Sequence, residues 1–286
     1  MTESRVFTAA CVQLASDTEP AANIAAAVDG VRRAAAAGAD FVLTPETTDM
    51  MEMKRRDAFA KAKEEADHPG LAELRGLAAE LGCWLLIGSL VIRLGPERLA
   101  NRSFLIDPAG QVTARYDKIH MFDVEVPDGQ SYRESKAYRP GGTAVLAELP
   151  WGRLGMSVCY DLRFPQLYRA LAQAGAEILT VPSAFTRLTG RAHWHLLLRA
   201  RAIETGCFVL APAQCGETGQ GRQTYGHSLM VAPWGEVLAE AGEAPEVILA
   251  EIDLARVAEA RRMIPALGHD RAFEAPAAPR PGDIRP

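Results

Sequence analysis

Gly155-Met156-Ser157-Val158-Cys159-Tyr160-Asp161-Leu162-Arg163-Phe164-Pro165 is the stretch on which the reading of this chain turns. An apolar strand over 154–158 ends at a cysteine, passes through a polar turn and enters a helix over 165–174 opened by Pro165. A thiol at such a turn stands on a rigid scaffold with its side chain presented to a cleft. Backbone N–H groups at the start of the next helix point toward a developing oxyanion, and the same geometry lowers a thiol pKa. Cysteines that follow strands are also common as small core residues. The turn therefore makes Cys159 a candidate nucleophile and no more.

The alternation continues on both sides. Before the cysteine, strands are expected at 6–14, 41–43 and 83–92, with a hairpin of 103–107 and 111–116 around Asp107-Pro108-Ala109-Gly110. Helices are expected at 20–37, 54–66 and 71–81; the first carries Ile24, Val28 and Val31 on one face and stops at Gly38. After it come strands at 177–181, 207–213, 226–232, 236–239 and 247–252, and helices at 192–205 and 254–263, with Gly206 just past the former. Residues 123–142, rich in charge, Pro and Gly, read as a long loop of the kind that is functional or disordered. Short connections and alternating elements give one α/β domain, its sheets covered by helices, over 1–271. A Pro- and Ala-rich tail, 272–286, lacks a core of its own.

Composition narrows the partners. The 286 residues are 48% hydrophobic and carry a net charge of −5, which offers no basic field for nucleic acid or anionic membrane. No apolar run approaches a membrane span. Five cysteines, four of them in or beside apolar runs, suggest reduced thiols in a cytoplasmic protein. Small molecules or other proteins are the expected partners.

Two further residues share the address of Cys159. Glu46 stands where the 41–43 strand runs out, after Pro45, and carboxylates at the carboxyl ends of strands in α/β sheets line ligand crevices; a surface acid capping a helix is the alternative. Lys118 follows the strand that ends Arg115-Tyr116-Asp117, where the sequence taken alone favours an ordinary solvated lysine.

Taken together, these segments resemble the nitrilase superfamily of carbon–nitrogen hydrolases, which use Glu, Lys and Cys in that chain order. The matching stretches are Leu43-Thr44-Pro45-Glu46, Tyr116-Asp117-Lys118-Ile119-His120 and Val158-Cys159-Tyr160-Asp161-Leu162-Arg163-Phe164-Pro165. Pro182-Ser183-Ala184-Phe185-Thr186, Ala192-His193-Trp194, Arg199 to Thr205, Tyr225-Gly226-His227-Ser228 and Pro233-Trp234-Gly235 continue the likeness over about residues 5–265. The resemblance implies a four-layer αββα sandwich, a homodimer or higher homo-oligomer, and no metal or organic cofactor. It implies Glu46 as general base, Cys159 as nucleophile, and Lys118 with the Tyr160 N–H as oxyanion donors. It also implies a second glutamate; Glu134 matches best, with Glu125 as the alternative.

Cys-Tyr-Asp-x-Arg-Phe-Pro is similar to the Nit-type branch. Arg-Ala-Arg-Ala-Ile-Glu-Thr before Cys207 and Ala213-Gln214-Cys215-Gly216 resemble its deaminated glutathione amidases. The implied substrate is a small anionic amide, cleaved to α-ketoglutarate and cysteinylglycine. An ω-amidase acting on α-ketoglutaramate is the alternative, with a papain-like Cys–His hydrolase and a catalytically dead interaction scaffold further off. Arg163 is expected to reach a substrate carboxylate or else to pair with Glu177, and Phe185 is expected in the same pocket. Arg191 stands where the branch usually has Pro, and His195 where it usually has Glu; both are expected near the pocket mouth. His193 and His195, two apart on a helix, face different ways and cannot form an i,i+4 metal pair. His227 is expected in a strand, making structural hydrogen bonds.

Overall fold

The computed structural model describes residues 5–125 and 131–275. In chain order the elements are β1 (Val6–Val12), α1 (Pro20–Ala36), β2 (Phe41–Leu43), α2 (Arg55–Lys61), α3 (Pro69–Leu81), β3 (Trp84–Arg93), β4 (Leu99–Ile106), β5 (Val112–Asp117), β6 (Asp123–Glu125), β7 (Ser131–Arg133) and β8 (Val145–Glu148). Then follow β9 (Arg153–Met156), α4 (Pro165–Gln173), β10 (Ile178–Thr180), α5 (Arg187–Thr205), β11 (Phe208–Ala211), β12 (Cys215–Glu217), β13 (Gln223–Tyr225), β14 (Leu229–Val231), β15 (Val237–Glu240), β16 (Val247–Asp253) and α6 (Ala255–Met263).

Two six-stranded sheets form, in the orders β16-β1-β2-β3-β4-β5 and β15-β14-β11-β10-β9-β8. Each has a parallel centre, β1-β2-β3 in one and β9-β10-β11 in the other, flanked by antiparallel strands. Strand alternation makes the layers. On β1, Phe7, Ala9 and Cys11 join Phe41, Leu43, Leu86, Met156 and Leu179 in the core that includes the second sheet. The residues between them, Ala10 and Val12 with Val42 and Leu85, pack instead on Ile24, Ala27 and Val31 of α1 and Leu71 and Leu74 of α3. The second sheet is covered by Leu167 and Leu171 of α4 and Trp194 and Leu198 of α5. The arrangement is the layered αββα sandwich. All five cysteines are free and buried. Among the described residues no helix is long and apolar enough to cross a membrane.

Four expectations need correction. The helix expected at 54–66 ends at Lys61, because Lys63 leaves it to bridge Ile92 at the end of β3 and accept a hydrogen bond from Arg93 N (2.8 Å). The helix expected at 192–205 begins at Arg187, capped by Thr186, whose hydroxyl accepts from Thr189 N. Its first turns lack an apolar stripe because Gly190 lies under the Tyr225 ring, where a Cβ would stand 2.3 Å from Cγ. The 123–142 loop contains the short β6–β7 pair and a turn of 3₁₀ helix, Glu134–Lys136; residues 126–130 lie outside the described residues. His227 is not in a strand: it sits at φ +54° in the turn before β14. Of the 272–286 tail, residues 272–275 are exposed and without regular structure, and the remainder lies outside the described residues.

Candidate active site

Parallel strands deliver loops at their carboxyl ends, and the site assembles there. Glu46 follows β2, Lys118 follows β5, Cys159 follows β9, and Ala184 and Phe185 follow β10. The first two come from one sheet and the rest from the other. Glu134, in the 3₁₀ turn after β7, closes the group.

Glu46, Lys118 and Cys159 are all nearly fully buried. Lys118 Nζ donates to Glu46 Oε1 at 2.9 Å and to Glu134 Oε2 at 2.9 Å. Glu46 Oε2 accepts from Ala184 N at 2.8 Å, and the same carboxylate acts on the Cys159 thiol, which lines the cavity beside it. Phe122 N holds Glu134 Oε2 at 2.7 Å. Glu125, the alternative second glutamate, is instead exposed and paired with Arg133.

The charges sort themselves. Burial works against ionising Glu46, but the Lys118 ammonium and hydrogen bonds from Lys118 and Cys159 outweigh it and hold the carboxyl below its ordinary range. Lys118 is likewise opposed by burial, yet its two glutamates keep it protonated far into alkali. Burial and the Glu46 charge push the Cys159 thiol well up. The resting site is thus a neutral thiol beside a carboxylate, arranged for the thiol to give up its proton as it attacks.

A second network fixes the nucleophile's turn. Cys159 sits at φ +49°, a left-handed backbone that a side-chain-bearing residue adopts only when its surroundings impose it. Here the surroundings are Asp161, fully buried. Its Oδ2 accepts from Val158 N (2.9 Å) and the Tyr116 hydroxyl (2.7 Å), and its Oδ1 meets His120 N (3.0 Å) and His120 Nδ1 (2.7 Å). Tyr116 and His120 flank Lys118, so one carboxylate clamps the lysine's segment to the cysteine's.

The group opens into a cavity of about 460 Å³, within the range of small-molecule sites. Met50, Met51, Phe122 and Tyr132 supply apolar wall; Tyr160, Arg163, Phe185 and Thr189 line it too. Arg163 lies over the Phe185 ring, 5.4 Å from its centroid, and approaches His193 Nδ1 at 3.2 Å. It does not pair with Glu177, which is taken by Arg5. Tyr160 packs edge-on against Phe122 and Phe164. Arg191 is exposed on α5 and absent from the cavity wall, since its position points away from the first-turn residues Thr186 and Thr189 that reach it. His195 is also outside the wall, hydrogen-bonded to Glu240 at 2.8 Å.

Three site residues escape the reading of the sequence. Asn101 on β4, buried, donates to Glu46 Oε1 (2.9 Å) and Glu134 Oε1 (3.3 Å). Arg222 in the β12–β13 turn donates to Ala184 O (2.9 Å) and lies over Tyr132, and its charge also favours ionised Glu46. Asp161 is the third. Asn101 lies before the strand expected at 103–107 and carries no spacing signal, though β4 in fact begins at Leu99; Arg222 sits in a hairpin too short to register.

Sequence and structure comparisons identify the relatives of the chain. The carbon-nitrogen hydrolase family matches residues 8–262. A protein of Yersinia enterocolitica named deaminated glutathione amidase is 42% identical over 251 residues, 87% of each chain. The crystal structure of the C. elegans NitFhit protein superimposes with a TM-score of 0.88 at 38% identity, covering 94% of this chain and 66% of that one. A variant of the amidase from Nesterenkonia sp. AN1, which carries the acetamide moiety of fluoroacetamide on its active-site cysteine, matches with a TM-score of 0.77 at 29% identity, over 90% of this chain and 94% of that one. The chain belongs to the carbon-nitrogen hydrolase family and is an amide-cleaving enzyme of the nitrilase superfamily.

Proposed function

We propose that the chain hydrolyses deaminated glutathione to α-ketoglutarate and cysteinylglycine through a thioester on Cys159. Glu46 takes the thiol proton as Sγ attacks the amide carbonyl carbon. The carbonyl oxygen becomes an oxyanion stabilised by the Lys118 ammonium and the Tyr160 N–H, where losing one donor costs about 10²–10³ in rate. Collapse breaks the C–N bond, and Glu46 returns the proton to the departing amine. A water deprotonated by Glu46 then attacks the thioester, releasing the acid and restoring the thiol. Glu134 holds Lys118 in place and orients the substrate amide. Arg163, with Arg222, supplies cations for substrate carboxylates, and Phe185 the apolar wall beneath Arg163.

The observation that carries this reading is the buried Glu46–Lys118–Glu134 network, which lines one cavity together with Cys159, Arg163 and Arg222. The names of the relatives point the substrate the same way. Turnover is compared on deaminated glutathione, α-ketoglutaramate and glutamine; kcat/KM highest on the first supports the proposal, and a preference for α-ketoglutaramate makes the enzyme an ω-amidase. A mass shift of the α-ketoglutaryl group on Cys159 in a rapid-quench experiment tests the intermediate.

The catalytic unit proposed is 1–271. Asp270 is still tied to α4 through Arg169 and Gln173, so cutting after 271 should leave activity intact. An exposed apolar face on α5 and α6, with Leu196, Ile203, Met263 and Ile264 beside Trp234, suits a homodimer in the cytoplasm. Light scattering on Leu196→Glu, expected to yield monomer, and cell fractionation check these two points.

A further inference from the structure

Away from the cavity, three donor side chains from three separate elements converge. His195 comes from α5, His227 from the turn between β13 and β14, and Glu240 from the end of β15. His195 Nε2 and His227 Nδ1 lie 2.8 and 2.9 Å from the same oxygen, Glu240 Oε1, and the three donor atoms all fall within 4.8 Å of one another. The two-apart histidine pair on α5 remains no metal pair, but the fold gives His195 partners that the helix could not. We propose that His195 Nε2, His227 Nδ1 and a Glu240 oxygen bind one divalent ion of the zinc class.

The donor set selects the ion. Two imidazoles and one carboxylate suit zinc and its borderline neighbours, whereas calcium and magnesium require mostly oxygen. Donors about 2.0–2.1 Å from a tetrahedral ion stand about 3.3 Å apart, so the present spacing has to open by a few tenths of an ångström. His195 and Glu240 are partly exposed and can yield by that amount through side-chain torsions. His227 is the fixed point: its N–H donates to Gly242 O (3.0 Å) and its carbonyl accepts from Trp194 Nε1 (2.7 Å). The Tyr225 ring stacks on the His227 imidazole at 4.3 Å and meets His195 edge-on at 6.0 Å, walling one side of the group. The partial exposure of His195 and Glu240 opens the group to solvent, from which a water would supply the fourth ligand.

None of the three residues lines the catalytic cavity. The ion therefore acts as a clip, tying α5 to the β14–β15 hairpin. α5 carries Thr189, six residues before His195, into the cavity wall, so the clip steadies the helix without joining the chemistry.

The test uses the full chain, free of any polyhistidine tag, with Cys159→Ala to remove the thiol that lines the catalytic cavity. Calorimetric titration with Zn²⁺ is expected to show one saturable equivalent. Changes to outer-shell partners alone weaken metal sites about 10–100-fold, so His195→Ala and Glu240→Gln should each weaken this one by at least about 100-fold. His227→Asn, whose amide side chain tolerates the left-handed backbone, keeps the turn and should do the same. Zn²⁺ at a hundredfold excess over Kd should raise Tm by roughly 5 °C, and the variants should lose that rise. Restored Cys159 in the His195→Ala chain should give unchanged amidase activity, which shows the fold intact. Absence of a saturable equivalent, or an affinity in His195→Ala and Glu240→Gln equal to that of the parent chain, overturns the site.

Discussion

Asp161→Asn isolates the clamp beneath the nucleophile. The carboxylate faces donors on both sides: Val158 N–H and the Tyr116 hydroxyl at one oxygen, His120 N–H and its imidazole at the other. An amide keeps one acceptor oxygen and offers an NH₂ where the second was. Tyr116 can turn its hydroxyl to accept, but a backbone N–H cannot. Whichever way the amide lies, Val158 N–H or His120 N–H confronts a donor in a fully buried site. One orphaned buried donor costs about 1–3 kcal/mol and one lost hydrogen bond about 0.5–1.5 more, so the variant should lose roughly 2–4 kcal/mol. Tyr116→Phe removes a single bond and should lose about 1 kcal/mol. Urea unfolding followed by circular dichroism measures both, read from the midpoint at unchanged slope. Relaxation at Val158 also loosens the left-handed Cys159, so kcat should fall more than KM changes. An Asp161→Asn chain within 0.5 kcal/mol of the parent and with its full kcat would refute the idea that this carboxylate holds the turn.

Cys159→Ala should abolish turnover on every amide while leaving unfolding within about 1.5 kcal/mol of the parent, as a small buried swap; residual activity above 1% would remove the thiol from the mechanism. For pH, Glu46 lies below its ordinary 4.5, so its ionised form adds stability above that value and loses it as pH falls through the lower folded pKa. Lys118 lies above 10.5, so kcat/KM should stay flat across neutrality, and an acid limb centred at pH 6–7 would contradict this. Gly88→Ala would place a Cβ 2.1 Å from Thr44 O and 2.4 Å from Pro45 O, pushing on the backbone that delivers Glu46. Stability should drop by about 1–3 kcal/mol with a disproportionate loss of kcat, checked by unfolding and kinetics together. Arg163→Ala and Arg222→Ala should raise KM for dianionic substrates far more than for a neutral amide; equal effects on both would deny them a carboxylate.

The sequence displays best what lies at strand ends. Phe41–Leu43 running into Glu46, and the apolar run into Cys159, put both residues where parallel strands open, and the sheets follow that plan. The short hairpin strands β6, β7, β12 and β13 leave no trace, because three residues that are not an apolar run are too few to show a period of two. Asp161 reads in sequence as one more polar turn residue; its weight comes from Tyr116 and His120, more than forty positions away. Asn101 is similar, a strand residue whose amide bridges two carboxylates contributed by loops 55 and 33 positions distant. Arg191 shows the converse. A departure from a motif marks a position, but the helical turn decides which way its side chain goes.

The site is split between two sheets, with Glu46 and Lys118 on one and Cys159 on the other, and this bears on when the thiol becomes dangerous. A reactive cysteine in a growing or partly folded chain could be acylated by stray acyl donors. Here the proton acceptor and the cation arrive only when the inter-sheet core of Phe41, Leu86, Met156 and Leu179 has closed. Until then Cys159 is an ordinary thiol. Folding itself is the safety catch.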